Sequence, residues 1–196
     1  MTRPAATEPG AGDGPPRRRD AATSVAWPAA ATRFLALRLR PGDDLRGELE
    51  RAFAEAPERA GFVAASVGSL SRLALRHAGR DGADVVEGCF ELVGLSGTLS
   101  VDGPHLHLLA SDPEGGVVGG HLLPGCTVRT TAEIVIALAH GVRFARATDA
   151  ETGCAELTFD RDGNDRGAER SIRAGADAAA PAVEATTAPP SVSGGT

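Results

Sequence analysis

The sequence predicts an α+β domain built mainly on an antiparallel β-sheet, with one or two helices. Three observations carry that prediction. Large apolar residues alternate with polar or small ones over short runs, as in Arg33–Leu39 and Pro104–Ser111. Clusters of Asp, Pro and Gly separate such runs in the manner of turns. A clear 3.6-residue apolar period occurs after Asp43-Asp44, where Leu45, Leu49, Ala52 and Phe53 fall on one helical face.

In chain order, residues 1–31 are rich in Ala, Pro, Gly and Thr and read as a disordered tail, because they offer too little apolar surface to offset ordering entropy. The folded domain is expected over residues 32–160, and a second disordered tail over 161–196. Arg33–Leu39 is the first strand, closed by Pro41-Gly42. Asp43 or Asp44 caps a helix that runs to about Ala56 and stops at Pro57. Residues 62–77 are β-rich, with Gly68 marking a bend or a break into two short strands. Asp81-Gly82 is a turn, and residues 85–100 hold further strands interrupted at Gly88, Gly94 and Gly97. Residues 104–111 form a strand, Ser111–Gly116 a turn, and Val117–Leu122 the antiparallel return. Thr130-Thr131-Ala132-Glu133 resembles a helix start, with the threonines as capping or packing residues. The run from Ile134 to Ala139 that follows suits a helix or a strand equally. Leu157–Phe159 is a closing strand.

The chain has five histidines, and three lie within this hairpin. His105 and His107 are spaced i, i+2, which puts both side chains on one face of a strand. His121 follows Gly119-Gly120, where missing side chains let the backbone approach a neighbour closely. The turn at Asp112–Gly116 brings His121 back towards the other two, and cross-strand neighbours lie about 5 Å apart. Three imidazoles around one divalent ion is the chemistry this pattern points to; a hydrogen-bonded polar pair is the ordinary alternative. His77 and His140 stand alone and receive no role.

Charge and composition exclude other classes. All 20 basic residues are arginine. Residues 33–160 hold twelve arginines against eighteen carboxylates, a net of −6, so the domain lacks the basic stripe that phosphate neutralisation requires of a nucleic-acid binder. The Arg17–Arg19 run reads as a solvated tail segment. Cys89, Cys126 and Cys154 are too widely spaced for a CxxC motif and read as small buried apolar residues in a reducing cytoplasm. No signal-like leader or membrane-length apolar run is present, so a cytoplasmic protein is expected. Nucleophile elbow, phosphate loop, dinucleotide fingerprint and Cys–His pair are all missing, and no organic cofactor is expected.

A family resemblance rests on a longer set of residues. Gly68-Ser69-Leu70-Ser71 with Leu75-Arg76, Phe90-Glu91-Leu92 running into Leu95–Ser100, Gly103-Pro104-His105-Leu106-His107, Asp112, Gly115, Gly119-Gly120-His121-Leu122, Gly125-Cys126, Val128 and Thr130–Glu133 look like the plant and prokaryote conserved (PPC) domain. Thr152-Gly153 with Glu156-Leu157 resembles the ending of bacterial members. The resemblance covers residues 33–160 and implies a single compact domain that assembles into a homotrimer. It also implies a metal ion at His105, His107 and His121, since some prokaryotic members hold one there. In plants the domain accompanies AT-hooks that enter the DNA minor groove. Arg17–Arg19 lacks their Gly-Arg-Pro context, so DNA binding attaches to this chain by family label alone.

The functional expectations are therefore ordered. First stands a trimeric bacterial domain that binds a divalent metal, zinc foremost because imidazole suits it, with a regulatory or small-ligand role. Second stands a hydrolase or lyase acting on a small molecule through metal-bound water, with Glu133 or Asp112 as candidate catalytic carboxylates. Glu133 is also an ordinary helix-start acid in this reading. Arg76 and Arg129 are candidate anion contacts whose default role is solvation.

Overall fold

The described part of this computed structural model is residues 24–162. In it the expected helix and strands appear as α1 (Leu45–Ala54) and eight strands: β1 (Thr32–Leu39), β2 (Ala60–Arg76), β3 (Asp84–Ser100), β4 (Gly103–Ser111), β5 (Val117–Leu122), β6 (Thr127–Ala139), β7 (Val142–Thr148) and β8 (Ala155–Arg161). The result is a single domain, mostly antiparallel sheet, with one α-helix among the described residues.

Asp44 starts α1. Its side chain accepts from the Gly47 N–H at 2.7 Å and from the Gly125 N–H at 2.5 Å, so one carboxylate both caps the helix and ties it to the loop before β6. Leu45, Leu49, Ala52 and Phe53 are buried, the face the sequence period predicts. Arg46–Glu50 and Arg51–Glu55 are i, i+4 pairs along the helix, and Arg46 also donates to the Leu122 carbonyl at 3.0 Å.

The main sheet has the order β1-β6-β2-β3-β4-β5, and β5 also pairs with β2 through Leu75↔Leu122 and Arg76↔His121. Strands β2, β3, β4 and β5 thus close into a ring at one end. Its interior is filled by Leu70, Leu73, Leu75, Leu92, Leu106, Leu108 and Leu122 with Ile134 and Ile136 of β6. Closure depends on close backbone approach at the Gly119-Gly120 pair. A Cβ at Gly120 would lie 2.9 Å from the Arg76 carbonyl oxygen, which holds any larger residue away from β2.

Four readings of the sequence need correction. Residues 130–139 belong to strand β6, with no helix start at Thr130. β6 lies between β1 and β2, and Ile134, Ile136 to Ala139 are buried, so the alternation of a half-exposed strand is absent. Glu133 is therefore an exposed strand residue opposite Arg38. β2 and β3 are each one 17-residue strand, so Gly68 marks the bend and not the break, and residues 85–100 lie in one strand where several were expected. Their glycines sit near register shifts, at Gly68/Leu70 and Leu92/Gly94, where the strands bend without ending. Cys126 is buried, but Cys89 and Cys154 are exposed. Strand β7, which has no counterpart in the sequence reading, pairs with β8 as a separate two-stranded sheet.

That small sheet is docked by a parallel bridge between Arg59 and Arg143 and by the Phe144 N–H donating to the Arg59 carbonyl at 2.9 Å. Trp27 packs edge-on against Phe144 with ring centroids 6.2 Å apart, so residues assigned to the N-terminal tail by composition reach the domain. The remaining parts of the two tails lie outside the described residues.

Candidate metal centre

Hairpin register decides the site. His107 of β4 stands directly opposite His121 of β5, and His105 lies two residues along β4 on the same face. The intervening Leu106 and Leu108 point into the ring and are fully buried, which fixes the histidines outward. On the other side of β4, Thr98 and Ser96 of β3 face His105 and His107. Gly97 carries a φ of +134°, and a Cβ there would collide with the His105 carbonyl oxygen. Glycine at this position lets β3 pass close behind the histidine pair. His77, which the sequence left without a role, donates from Nδ1 to the Gly119 carbonyl at 3.1 Å and so braces β5 next to His121.

The ring centroids are 5.0 Å apart for His105–His107, 5.0 Å for His105–His121 and 5.6 Å for His107–His121. Each residue offers one ring nitrogen, all within 4.8 Å of one another, and the Nε2 atoms of His105 and His107 are 3.1 Å apart. Nitrogens bound to one tetrahedral zinc ion lie roughly 3.3 Å from each other, so this is a spacing that a small ion can bridge. The donor set, imidazole nitrogen without thiolate, fits zinc and its transition-metal neighbours and does not fit magnesium or calcium.

Burial and nearby positive charge favour the unprotonated, ligand-competent form of His105 and His121. Burial lowers the pKa of His121 to about 4, helped by His105 and by the Arg76 guanidinium across the β2–β5 pairing. Burial also lowers His105, with the positive charge of Arg146 the next cause. Arg146 and Glu156, from β7 and β8, complete a cavity of about 290 Å³ over the pair His105 and His107. Sequence reasoning missed both as site residues. Glu156 was visible as part of the family-like ending, but no spacing in the chain says that the β7–β8 sheet folds over the hairpin.

The two candidate catalytic carboxylates do not join the histidines. Asp112 accepts from the N–H groups of Glu114 and Gly116 and shapes the β4–β5 turn. Glu133 lies on β6, paired with β1 and β2. Arg76 borders His121, while Arg129 is exposed on β6. A larger cavity of about 580 Å³ lies between α1 and the β3–β4 turn, but its buried carboxylate, Glu58, is already bound by Arg33 and His140.

Residues 28–140 match the Plants and Prokaryotes Conserved (PCC) domain. This chain belongs to that family. The domain is 47% identical over 130 residues to the bifunctional protein GlmU of a Synechococcus strain, covering 66% of this chain and 21% of that protein. The chain thus spans about a fifth of the length of the curated relatives it matches. Among solved structures, a Salmonella enterica protein described as hypothetical is 43% identical with a TM-score of 0.65, over 66% of this chain and 94% of that one. A protein of Archaeoglobus fulgidus described as metal-containing is 25% identical with a TM-score of 0.55, over 64% and 93%. A Bacteroides thetaiotaomicron protein described as a candidate DNA-binding protein shares the fold, at 18% identity and a TM-score of 0.58 over 65% and 93%. No helix among the described residues is long and apolar enough to cross a membrane.

Proposed function

We propose that this PCC domain binds one divalent metal ion, zinc foremost, through His105, His107 and His121, and works as a self-assembling regulatory or ligand-binding module. The observation that carries the reading is the gathering of three ring nitrogens within 4.8 Å on one face of a braced hairpin. The metal-containing description of the Archaeoglobus relative supports it. Zinc held by His105, His107 and His121 would supply a Lewis acid. The chain's own residues orient the imidazoles through the β4–β5 register and line the approach with Arg146 and Glu156.

A homotrimer is the assembly this reading expects, on the strength of the family resemblance. The same face supports self-association in its other half, where exposed Leu109 sits between Gly94 and Gly119 with exposed Val117 beside it. Exposed apolar residues grouped in this way mark interfaces. The Synechococcus relatives, in which a comparable stretch is a fifth of a bifunctional protein, support a separable module. DNA binding is left to the family label, because the net −6 of residues 33–160 opposes it.

Elemental analysis of the purified protein beside a His105→Ala/His107→Ala variant tests the site. About one zinc per chain is expected in the wild type and near none in the variant; equal contents overturn the proposal. Sedimentation reads the assembly, and a monomer at micromolar concentration removes the trimer. A hydrolase or lyase is a second reading, favoured by the Glu156 carboxylate beside the histidines, where it would accept a proton from substrate. Absence of turnover of ester and phosphoester substrates by zinc-loaded protein retires it.

A further inference from the structure

Arg146 is the residue whose position is least explained by folding alone. It lies just past the family-model match, which ends at residue 140, on a strand of the small sheet that covers the histidine face. Its guanidinium donates to the Ala155 carbonyl at 3.0 Å and to Thr98 Oγ1 at 3.3 Å, yet Nε is buried without a hydrogen-bond partner. Among the described residues Arg146 forms no ion pair; Glu156, its cavity neighbour, is instead held by the Thr152 hydroxyl at 3.1 Å. A planar fork with unused donors, beside the imidazoles of His105 and His107 and one acid, is the arrangement that binds one oxygen-bearing anionic group. Arg76, across from His121, adds a second positive charge on the same face.

We propose that the β7–β8 sheet makes the histidine face a receptor for a small oxyanion, a carboxylate or phosphate group whose oxygens are received by Arg146 while the rest of the molecule fills the cavity above His105 and His107. The volume, about 290 Å³, admits a small metabolite-sized acid and is at the lower end for ligand sites. Glu156, on the strand paired with that of Arg146 and lining the same cavity, disfavours a polyanion and selects a ligand with one acidic group and a hydrogen-bond donor facing Glu156. The inference rests on the metal reading for its location but not for its anchor, since Arg146 belongs to the protein and not to the metal centre.

Two probes separate the ligand classes: lactate, a carboxylate with a hydroxyl donor, and inorganic phosphate. Isothermal titration of the full chain, zinc-loaded and zinc-free, is compared for wild type, Arg146→Gln and Arg146→Lys. At least tenfold weaker binding of the preferred anion is expected in both variants, with zinc content equal to wild type. Because either substitution can loosen the β7–β8 sheet, the Arg146 Nε–H resonance of the wild type is followed during the same titrations and is expected to shift on anion addition. Equal anion affinity in wild type and variants together with an unmoved Arg146 resonance overturns the inference, and does so with the metal reading intact if zinc is present. Anion binding through Arg146 in a chain that takes up no zinc when zinc is supplied keeps this inference and removes the metal reading.

Discussion

Two clusters of titratable side chains in this domain look alike in composition and differ in what they are for. At one, the Glu58 carboxylate, with a side chain 0% exposed, accepts two hydrogen bonds from Arg33 at 2.8 and 2.7 Å and faces His140 at 3.1 Å. At the other, His105, His107 and His121 face chiefly one another, with no carboxylate in their bonding group. The first cluster is electrically complete, and its histidine is a partner to an acid. The second sets three ring nitrogens within 4.8 Å of one another, with the His105–His107 contact between Nε2 atoms at 3.1 Å as its internal hydrogen bond. The contrast teaches that charge satisfaction within the chain, rather than residue type, separates a structural knot from a binding site.

The largest effect should come from breaking the backbone that sets the histidine face. Gly97→Ala places a Cβ against the His105 carbonyl at a φ of +134°, so a loss of about 3 kcal/mol or more, read by chemical denaturation, is expected together with loss of zinc. Next comes the crossed pair His107→Ala and Glu58→Gln. Glu58→Gln should cost about 2 kcal/mol, discounted because Arg33 is half exposed, while zinc still raises its melting temperature. His107→Ala should leave metal-free stability within about 1 kcal/mol and abolish the zinc-induced rise. If zinc raises the melting temperature of His107→Ala as it does that of the wild type, the two clusters are not distinct in the way argued here.

Acid sharpens the same contrast. Hydrogen bonds from Arg33 hold the Glu58 carboxyl below its ordinary 4.5. A carboxylate held low in the folded state contributes stability that is fully present above that ordinary value and is lost as pH falls through the folded one. Stability measured from pH 6 downward should therefore decline below pH 4.5 in the wild type and decline less steeply in Glu58→Gln. The smallest effects are reserved for the acids that stay outside both clusters. Asp112→Ala should lose about 1 kcal/mol through its turn, Glu133→Gln about 0.5 kcal/mol or less, and neither should change zinc content.

How far the chain announces this arrangement depends on where each residue gets its constraint. The hairpin is legible because its signals are local: alternating Leu106, Leu108 and Ala110, a turn built by Asp112 and Gly115, and a glycine pair before His121. α1 is legible for the same reason, down to the Asp44 cap. β6 is not, since a strand sandwiched between β1 and β2 is apolar on both faces and Thr130–Glu133 imitates a helix start. The place of Arg146 and Glu156 beside the histidines is not legible, because they reach it through the docking of one sheet on another, through residues remote in sequence such as Arg59, Val101 and Phe144. The exposed Cys89 and Cys154 follow the same logic: nothing adjacent in the chain reports that their strand and turn positions face water.

One contact described above has an optical consequence. The chain contains one tryptophan and no tyrosine, so essentially all of its near-ultraviolet emission comes from Trp27. That indole rests on Phe144 of β7, two positions before Arg146, and donates to the Thr32 hydroxyl at 3.1 Å. Its emission maximum therefore serves as a built-in gauge of whether β7–β8 is docked. A red shift on dilution, on acidification or in a variant would report that the cover over the histidines has lifted while the main sheet stays folded, without any label being attached.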